Sequence, residues 1–425
     1  MIWLYRSFSA FVLLICWFLS PFSSKLRAGL LGRRGLCNRL SKTVSTWTPE
    51  ERRIWIHFSS AGEFETALPL LDSLKKTDPN IKIAITYFSP SAEKAIDFEK
   101  KRRQKASLSC PWDFADFSPF DSWKSVNHFL STLKPSCYAS IHRELWPEIL
   151  YQCNQHNIPT FLLGAFFPHA IEKRQFLYRF CLKLLTHVIT LDEESQTHLR
   201  TLDPDLRISV EGDPRIERVI FRKNTFSKAA PWKPFFENQA VLVGASLWNE
   251  DFERLLPSMK QVLESYPKAR WILVPHEPST KRVQTWKRTL KENGFPFRQW
   301  SHWLESPDDH SHLLVDQVGL LAELYSVATS VFVGGSFKKR VHNILEPLVY
   351  RCALITGPFI QNSREAIQLA ERGVLRVVHN PQELTLAFLE TLTASQKNQV
   401  NLEKAEEFLN KNKTVSKNYT HWLLA

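Results

Sequence analysis

IWIHFSSAGEFETALPLL, residues 54–71, reads as strand, turn and helix in that order. IWIHF (54–58) is a continuous apolar run, as expected of a strand covered on both faces. SSAG (59–62) is small enough to turn the chain, and residues 64–76 carry apolar positions at helical spacing. The same rhythm continues outward. KIAITYF (82–88) is followed by a charged helix over 91–105, and CYASIH (137–142) by a helix over 146–156. PTFLLGAF (159–166), HVITLD (187–192) and LRISVEG (206–212) complete the first half, with a helix over 193–202. FRKNTFSKAAPWKPFFEN (221–238) has no clear period and reads as a linker. The alternation then resumes with AVLVGAS (240–246), ARWILVPH (269–276), HLLVDQ (312–317), SVFVGGS (330–336), ALITG (353–357) and LRVVHN (375–380). Strand–helix alternation predicts an α/β fold with parallel sheets and helices on both faces. The chain therefore divides into two α/β halves with a cleft between them: residues 45–220 and 239–410. Ligands of such sheets bind outside the carboxyl ends of the strands.

Composition sets limits on this picture. The chain has 425 residues, 44% hydrophobic and 23% charged, with a mean hydropathy of −0.25, which excludes a disordered chain and a polytopic membrane protein. Seven cysteines without a C-x-x-C pair argue against a zinc ribbon or disulfide scaffold and fit a reducing compartment. Neither G-x-x-x-x-G-K-[ST] nor G-x-G-x-x-G occurs, so P-loop and standard dinucleotide enzymes are excluded. The net charge of +12 suits an anionic partner, and no recognition motif accompanies it that would make that partner a nucleic acid.

Residues 1–22, MIWLYRSFSAFVLLICWFLSPF, contain one charge, Arg6, and read as an uncleaved membrane anchor. Lys25, Arg27, Arg33, Arg34 and Arg39 follow, which places the rest of the chain on the cytoplasmic side. The run 100–105 (KKRRQK) is a candidate membrane-facing patch, with a solvated helix face as the alternative. Phe166, Phe167, Phe176 and Tyr178, with Lys173, Arg174 and Arg179, could cradle acyl chains and phosphates or equally form a core helix.

Three segments carry candidate chemistry. In SSAGE (59–63), Gly62 permits a tight turn and Glu63 stands near a helix start, where it could serve as a general base or simply favour the macrodipole. In VFVGGSFKKRVHNILEPL (331–348), Gly334, Gly335 and Ser336 end a strand, and a helix is expected to begin near His342–Asn343. Backbone N–H groups and a helix N-terminus at this place would suit a phosphate, and Glu346 could accept from ribose hydroxyls. A strand–turn–helix with a solvated Glu is the other reading. ILVPHEPS (272–279) ends a strand in His276–Glu277. His302, His310 and His312 lack metal-ligand spacing.

Taken in order, these segments resemble the Kdo transferases, which place 3-deoxy-D-manno-octulosonic acid (Kdo) on lipid A precursors. The resemblance rests on WIHFSSAGEFETALPLL, RELWPEIL (143–150), VEGDPRIERV (210–219), GASLWNEDFERLLP (244–257), ILVPHEPS, FVGGSF, HNILEPL and GPFIQNSREA (357–366). It implies two Rossmann-like domains facing across a cleft, the GT-B arrangement, behind an N-terminal anchor in the bacterial inner membrane. It further implies CMP-Kdo as donor, the 6′-hydroxyl of a lipid A precursor (lipid IVA) as acceptor, and an inverting reaction without a metal or other cofactor. By position, Glu63 would be the base, and Gly62 and Glu144 would lie in the substrate site. Gly334, Gly335, Ser336, His342, Asn343 and Glu346 would hold CMP, with His276 and Arg215 contacting the donor. Three departures fall mainly in the acceptor half. His142 replaces an acidic residue, GAFFPHA (164–170) replaces a segment containing Arg, and Arg215 stands where Lys is commoner. Another GT-B nucleotide-sugar transferase and a catalytically degenerate lipid-binding protein remain open readings.

Overall fold

The computed structural model describes residues 1–167, 175–226, 232–237, 239–393 and 395–425. The apolar runs form strands because side chains on both pleat faces find cover. In Arg53–Phe58 (β1), Ile54, Ile56 and Phe58 enter one core cluster and Trp55 enters another on the opposite face. Six more strands join it: Lys82–Tyr87 (β2), Phe114–Phe117 (β3), Cys137–Ile141 (β4), Thr160–Ala165 (β5), His187–Thr190 (β6) and Ile208–Val210 (β7). All pair in parallel, in the order β3-β2-β1-β4-β5-β6-β7. The order reverses between β1 and β4, which makes their carboxyl ends the topological switch point.

The second sheet comprises Val241–Leu247 (β8), Arg270–Pro275 (β9), Phe297–Gln299 (β10), His312–Leu314 (β11), Ser330–Val333 (β12), Ala353–Thr356 (β13) and Leu375–Val377 (β14). It is parallel throughout, in the order β10-β11-β9-β8-β12-β13-β14, with its reversal between β8 and β12. Its core includes Leu242, Trp271, Leu273, Phe332 and Phe388.

The chain divides into two compact units, 1–218 with 412–425, and 219–411. The return of residues 412–425 to the first unit was not foreseen. In helix Val415–Leu424, the Tyr419 hydroxyl donates to the Gly212 carbonyl at 2.9 Å, and Trp422 stacks on His187 at 3.8 Å. Arg52 donates to the carbonyls of Leu423 and Leu424.

Several sequence expectations need correction. β3 and β10 were not expected: both are edge strands with a polar residue inside the run, so neither shows an uninterrupted apolar signal. Helix Arg215–Phe226 runs into the expected linker, and Phe236 beyond it lies under the Arg270 guanidinium at 4.2 Å. The helix expected near His342 begins at Leu345 and is only 5 residues long.

Several basic residues hold the fold together. Arg33 is buried and donates to the Ser118 and Gly29 carbonyls, and Arg39 makes a two-bond pair with Asp116. Arg103 leaves the candidate patch, because its guanidinium is buried against Glu99 and Asp72. Lys100, Lys101 and Lys105 remain exposed. In the aromatic-basic stretch, Phe167 is buried and Phe176 exposed, while Lys173 and Arg174, with 168–170, lie outside the described residues.

Candidate functional sites at the two switch points

At the end of β1 the chain turns through Ser59–Ser60 into helix Ala61–Thr77. Ser60 and Glu63 form a capping box, and Glu63 Oε2 accepts from the backbone N–H of Ser59 at 2.5 Å and of Ser60 at 3.0 Å. The structural reading of this Glu is therefore realised, and the pair of bonds also fixes where the carboxylate sits. Gly62 is exposed on the first turn of the helix.

Across the switch point, at the end of β4, stands Glu144. The Trp146 indole N–H donates to its Oε2 at 2.9 Å, and the fully buried His57 brings Nε2 to 3.6 Å. His57 is oriented from behind. Trp55 Nε1 donates to Thr86 Oγ1 at 2.8 Å, which leaves the Thr86 hydrogen for His57 Nδ1 at 3.0 Å. That assignment places the His57 proton on Nε2, aimed at Glu144.

The two carboxyls are pushed apart. Burial and the Glu144 charge raise Glu63 above the usual carboxylate range, against the pull of its backbone bonds. Burial opposes Glu144 ionisation, but the His57 Nε2–H aimed at it and the bond from Trp146 carry it below that range. Divergent carboxyls of this kind mark acid–base sites. Beside them, His142 adopts a left-handed backbone (φ 61) and is pushed down to about 4, first by burial and then by Arg215. It is neutral near pH 7 and supplies no negative charge in place of an acidic residue. Arg215 forks onto Asp213, with Nη2–Oδ2 at 2.5 Å, so its charge is already matched.

In the second unit, the loop after β8 meets the loop after β12. Asp251, fully buried, accepts from the backbone N–H of Trp248 (2.9 Å), Gly335 (2.6 Å) and Phe337 (3.1 Å). Gly334 N–H is also spent, on the Ala245 carbonyl. The two glycines therefore permit contact between loops and do not present free N–H groups to a phosphate. A Cβ on Gly335 (φ 83) would lie 2.3 Å from the Arg340 carbonyl oxygen, and one on Gly334 would lie 2.7 Å from that of Ser246. Ser336 is buried too, donating to the Val333 carbonyl and accepting from Gly357 N–H. The 5-residue helix beyond adds little dipole.

What faces outward here is a set of rings. Trp248 Nε1 donates to His342 Nε2 at 3.0 Å, leaving the proton of His342 on Nδ1. His276 stacks on His342 at 4.2 Å and lies 4.8 Å from Trp248. Burial, helped by His276 and Arg340, pushes His342 down to about 4, and burial also lowers His276. Lys338 and Arg282 lie over the Trp248 ring at 4.2 and 5.4 Å. Asn343 is exposed, with its Oδ1 accepting from Leu345 N–H. Glu346 pairs with Arg222 at 2.6 Å. The structure thus gathers His276 and His342 beside the glycine loop and sets Glu346 in a separate ion pair. Sequence reasoning missed Trp248, Asp251, Arg282 and Lys338, although GASLWNEDFERLLP contains the first two.

A family model described as 3-Deoxy-D-manno-octulosonic-acid transferase (kdotransferase) matches residues 31–218. The 3-deoxy-D-manno-octulosonic acid transferase of Haemophilus influenzae is 28% identical over 395 residues, covering 88% of this chain and 87% of that protein. The enzyme of that name from Aquifex aeolicus is 25% identical over 368 residues, covering 84% and 93%. Over residues 31–218 the chain matches the Kdo transferase family model, and the relatives of that name extend the likeness over most of its length. Among solved structures, a UDP-GlcNAc 2-epimerase from Neisseria meningitidis superposes with a TM-score of 0.61 at 14% identity, covering 88% of this chain and 99% of the other. A glycosyltransferase from Rickettsia africae gives 0.55 at 11% identity, covering 88% and 98%. At such identities the likeness establishes fold alone: α/β, with two Rossmann-like units of the GT-B class.

Proposed function

We propose that this chain is a Kdo transferase that moves Kdo from CMP-Kdo to the 6′-hydroxyl of a lipid A precursor, with inversion, in lipopolysaccharide synthesis. The observation that carries the mechanism is the Glu63–Glu144 pair, two neighbouring carboxyls with opposite proton affinities at one switch point. The acceptor oxygen attacks the anomeric carbon of Kdo as the bond from that carbon to the CMP phosphate oxygen breaks. The proton of the hydroxyl passes to Glu63, and CMP leaves with the bonding pair. The raised affinity of Glu63 for a proton favours this transfer, and Glu144, held ionised, keeps it favourable.

In this reading residues 45–220 bind the acceptor and 239–410 the donor. His276, His342 and Trp248 would contact the nucleotide, with Arg282, Lys338 and Arg340 offsetting phosphate charge and no metal ion taking part. Gly334, Gly335 and Ser336 would shape the loop, and Asn343 and Glu346 would reach the ribose. The working place is the cytoplasmic face of the bacterial inner membrane, where a chain of charge +12 meets anionic lipids.

The test is incubation with CMP-Kdo and lipid IVA, read by mass spectrometry. We expect a product heavier by Kdo, inhibition by CMP and none by UDP. Absence of product with a folded protein, or inhibition by UDP alone, overturns the proposal in favour of another nucleotide-sugar reaction.

A further inference from the structure

Helix Ile2–Leu19 is long and apolar enough to cross a bilayer, but its contacts describe another placement. Its covered or half-covered positions are Ile2, Tyr5, Arg6, Ser9, Leu13 and Cys16. They recur every three or four residues, which is one face of a helix along its whole length. That face lies against the first unit and includes its polar residues. The Tyr5 hydroxyl donates to Asp121 at 2.5 Å. Arg6 forks onto both oxygens of Glu148, at 2.8 and 2.9 Å, and the Glu148 side chain is fully buried. Near the other end, the Arg34 guanidinium lies 5.2 Å from the centre of the Trp17 ring. Asp121 also accepts from the N–H groups of Glu148 and Ile149, so the helix is tied to the N-terminal turn of Pro147–Gln155.

The opposite face carries Trp3, Leu4, Phe8, Phe11, Leu14 and Phe18, each at least 61% exposed. Arg27 and Arg34 stand exposed near its end. A spanning helix would carry Tyr5 and Arg6 to the far side of the bilayer, about 20 Å or more from the unit, since a bilayer core is about 30 Å thick. Glu148, fully buried, would lose its guanidinium partner and keep only the Gln152 amide, and Asp121 would lose the Tyr5 hydroxyl.

We propose that this helix does not cross the membrane: it lies in the plane of an anionic lipid surface, with its Trp3–Phe18 face immersed, its opposite face pinned to the first unit and its N-terminus on the side of both units. An amphipathic placement of this kind combines apolar immersion with attraction of basic residues to anionic headgroups. The inference rests on the membrane part of the reading above and says how the N-terminal anchor meets the bilayer.

The test uses the full chain with a cleavable N-terminal tag, expressed in bacteria and recovered in sealed inner-membrane vesicles with the cytoplasmic face outward. Added protease is expected to remove the tag while a lumenal marker survives. A second measurement uses Phe11→Trp in the full chain on phosphatidylglycerol-containing vesicles, with the wild-type signal subtracted. Lipids brominated near the headgroup should quench the new fluorescence more than lipids brominated near the chain ends. A protected tag, or stronger quenching from the chain ends, means a spanning helix and overturns the inference while leaving membrane residence intact. A chain that fails to bind vesicles overturns the membrane reading itself.

Discussion

The carboxyl ends of β1 and β4 and those of β8 and β12 are the same kind of place, the point where strand order reverses, yet they are furnished in opposite ways. The first holds two carboxyls whose proton affinities diverge, Glu63 raised and Glu144 lowered, with the His57 ring packed behind Glu144. The second is built of rings and a spent carboxyl: burial lowers His276 and His342, Lys338 and Arg282 lie near Trp248, and Asp251, itself raised by burial, is consumed by three N–H groups. Proton transfer needs a side chain that can exist in two states. Recognition of an anionic nucleotide needs donors and cations that stay as they are. On the proposed reading, the first switch point would carry the chemistry and the second would hold the nucleotide.

The sharpest break in that contrast would come from Glu63→Gln. Transfer should fall by ~10²–10⁴, the usual worth of a general base, while CMP affinity measured by calorimetry stays within about twofold. Turnover near wild type would remove Glu63 from the chemistry. Next comes Asp251→Ala, which strands three buried N–H groups at ~1–3 kcal/mol each. We expect a lower melting temperature and CMP affinity reduced by about a hundredfold or more. A folded variant with unchanged CMP affinity would show that the glycine loop is no part of the nucleotide site.

Glu144→Gln sharpens the first half of the comparison. A raised pKa means that Glu63 loses its proton, and becomes active, at a pH above the usual carboxylate range. Burial would persist in the variant, but the neighbouring negative charge would be gone. The acid limb of the pH–rate profile should therefore move to lower pH. A limb that stays in place, or moves upward, would end the assignment of the pair. The smallest effect is expected from Trp248→Phe, which loses one hydrogen bond to His342 worth ~0.5–1.5 kcal/mol. CMP affinity should drop by roughly threefold to tenfold with no change in the pH profile.

The sequence announced most strands because strands covered on both faces, such as IWIHF and KIAITYF, must be apolar throughout. β3 and β10 escaped because an edge strand carries no such demand. Glu63 was visible in S-x-G-E, directly after a strand. The glycines at 334–335 were visible too, but their N–H groups were already taken, and a sequence does not say which acceptor arrives from elsewhere. Asp251 reaches Gly335 from 84 positions away, and no local pattern encodes that pairing. Arg33, Arg39 and Arg103 looked like surface charge for the same reason: the Ser118 carbonyl, Asp116 and Asp72 reach them from other elements.

The discontinuous first unit has a consequence for how the protein is made. Tyr419 and Leu423 are buried in the first unit, but they are synthesised after the whole of 219–411. At about 5–20 residues per second, the emerging sheet β3-β2-β1-β4-β5-β6-β7 waits roughly 10–40 s for its closing helix. During that interval His187 lacks its Trp422 cover and part of the core around Ile54 and Ile56 lies open. The second unit, by contrast, is contiguous and can complete itself first. The nascent chain should therefore show a late, concerted gain of protease resistance in residues 53–210 once 412–425 have cleared the ribosome. A stalled chain ending at 411 should remain a chaperone substrate even with its second unit folded.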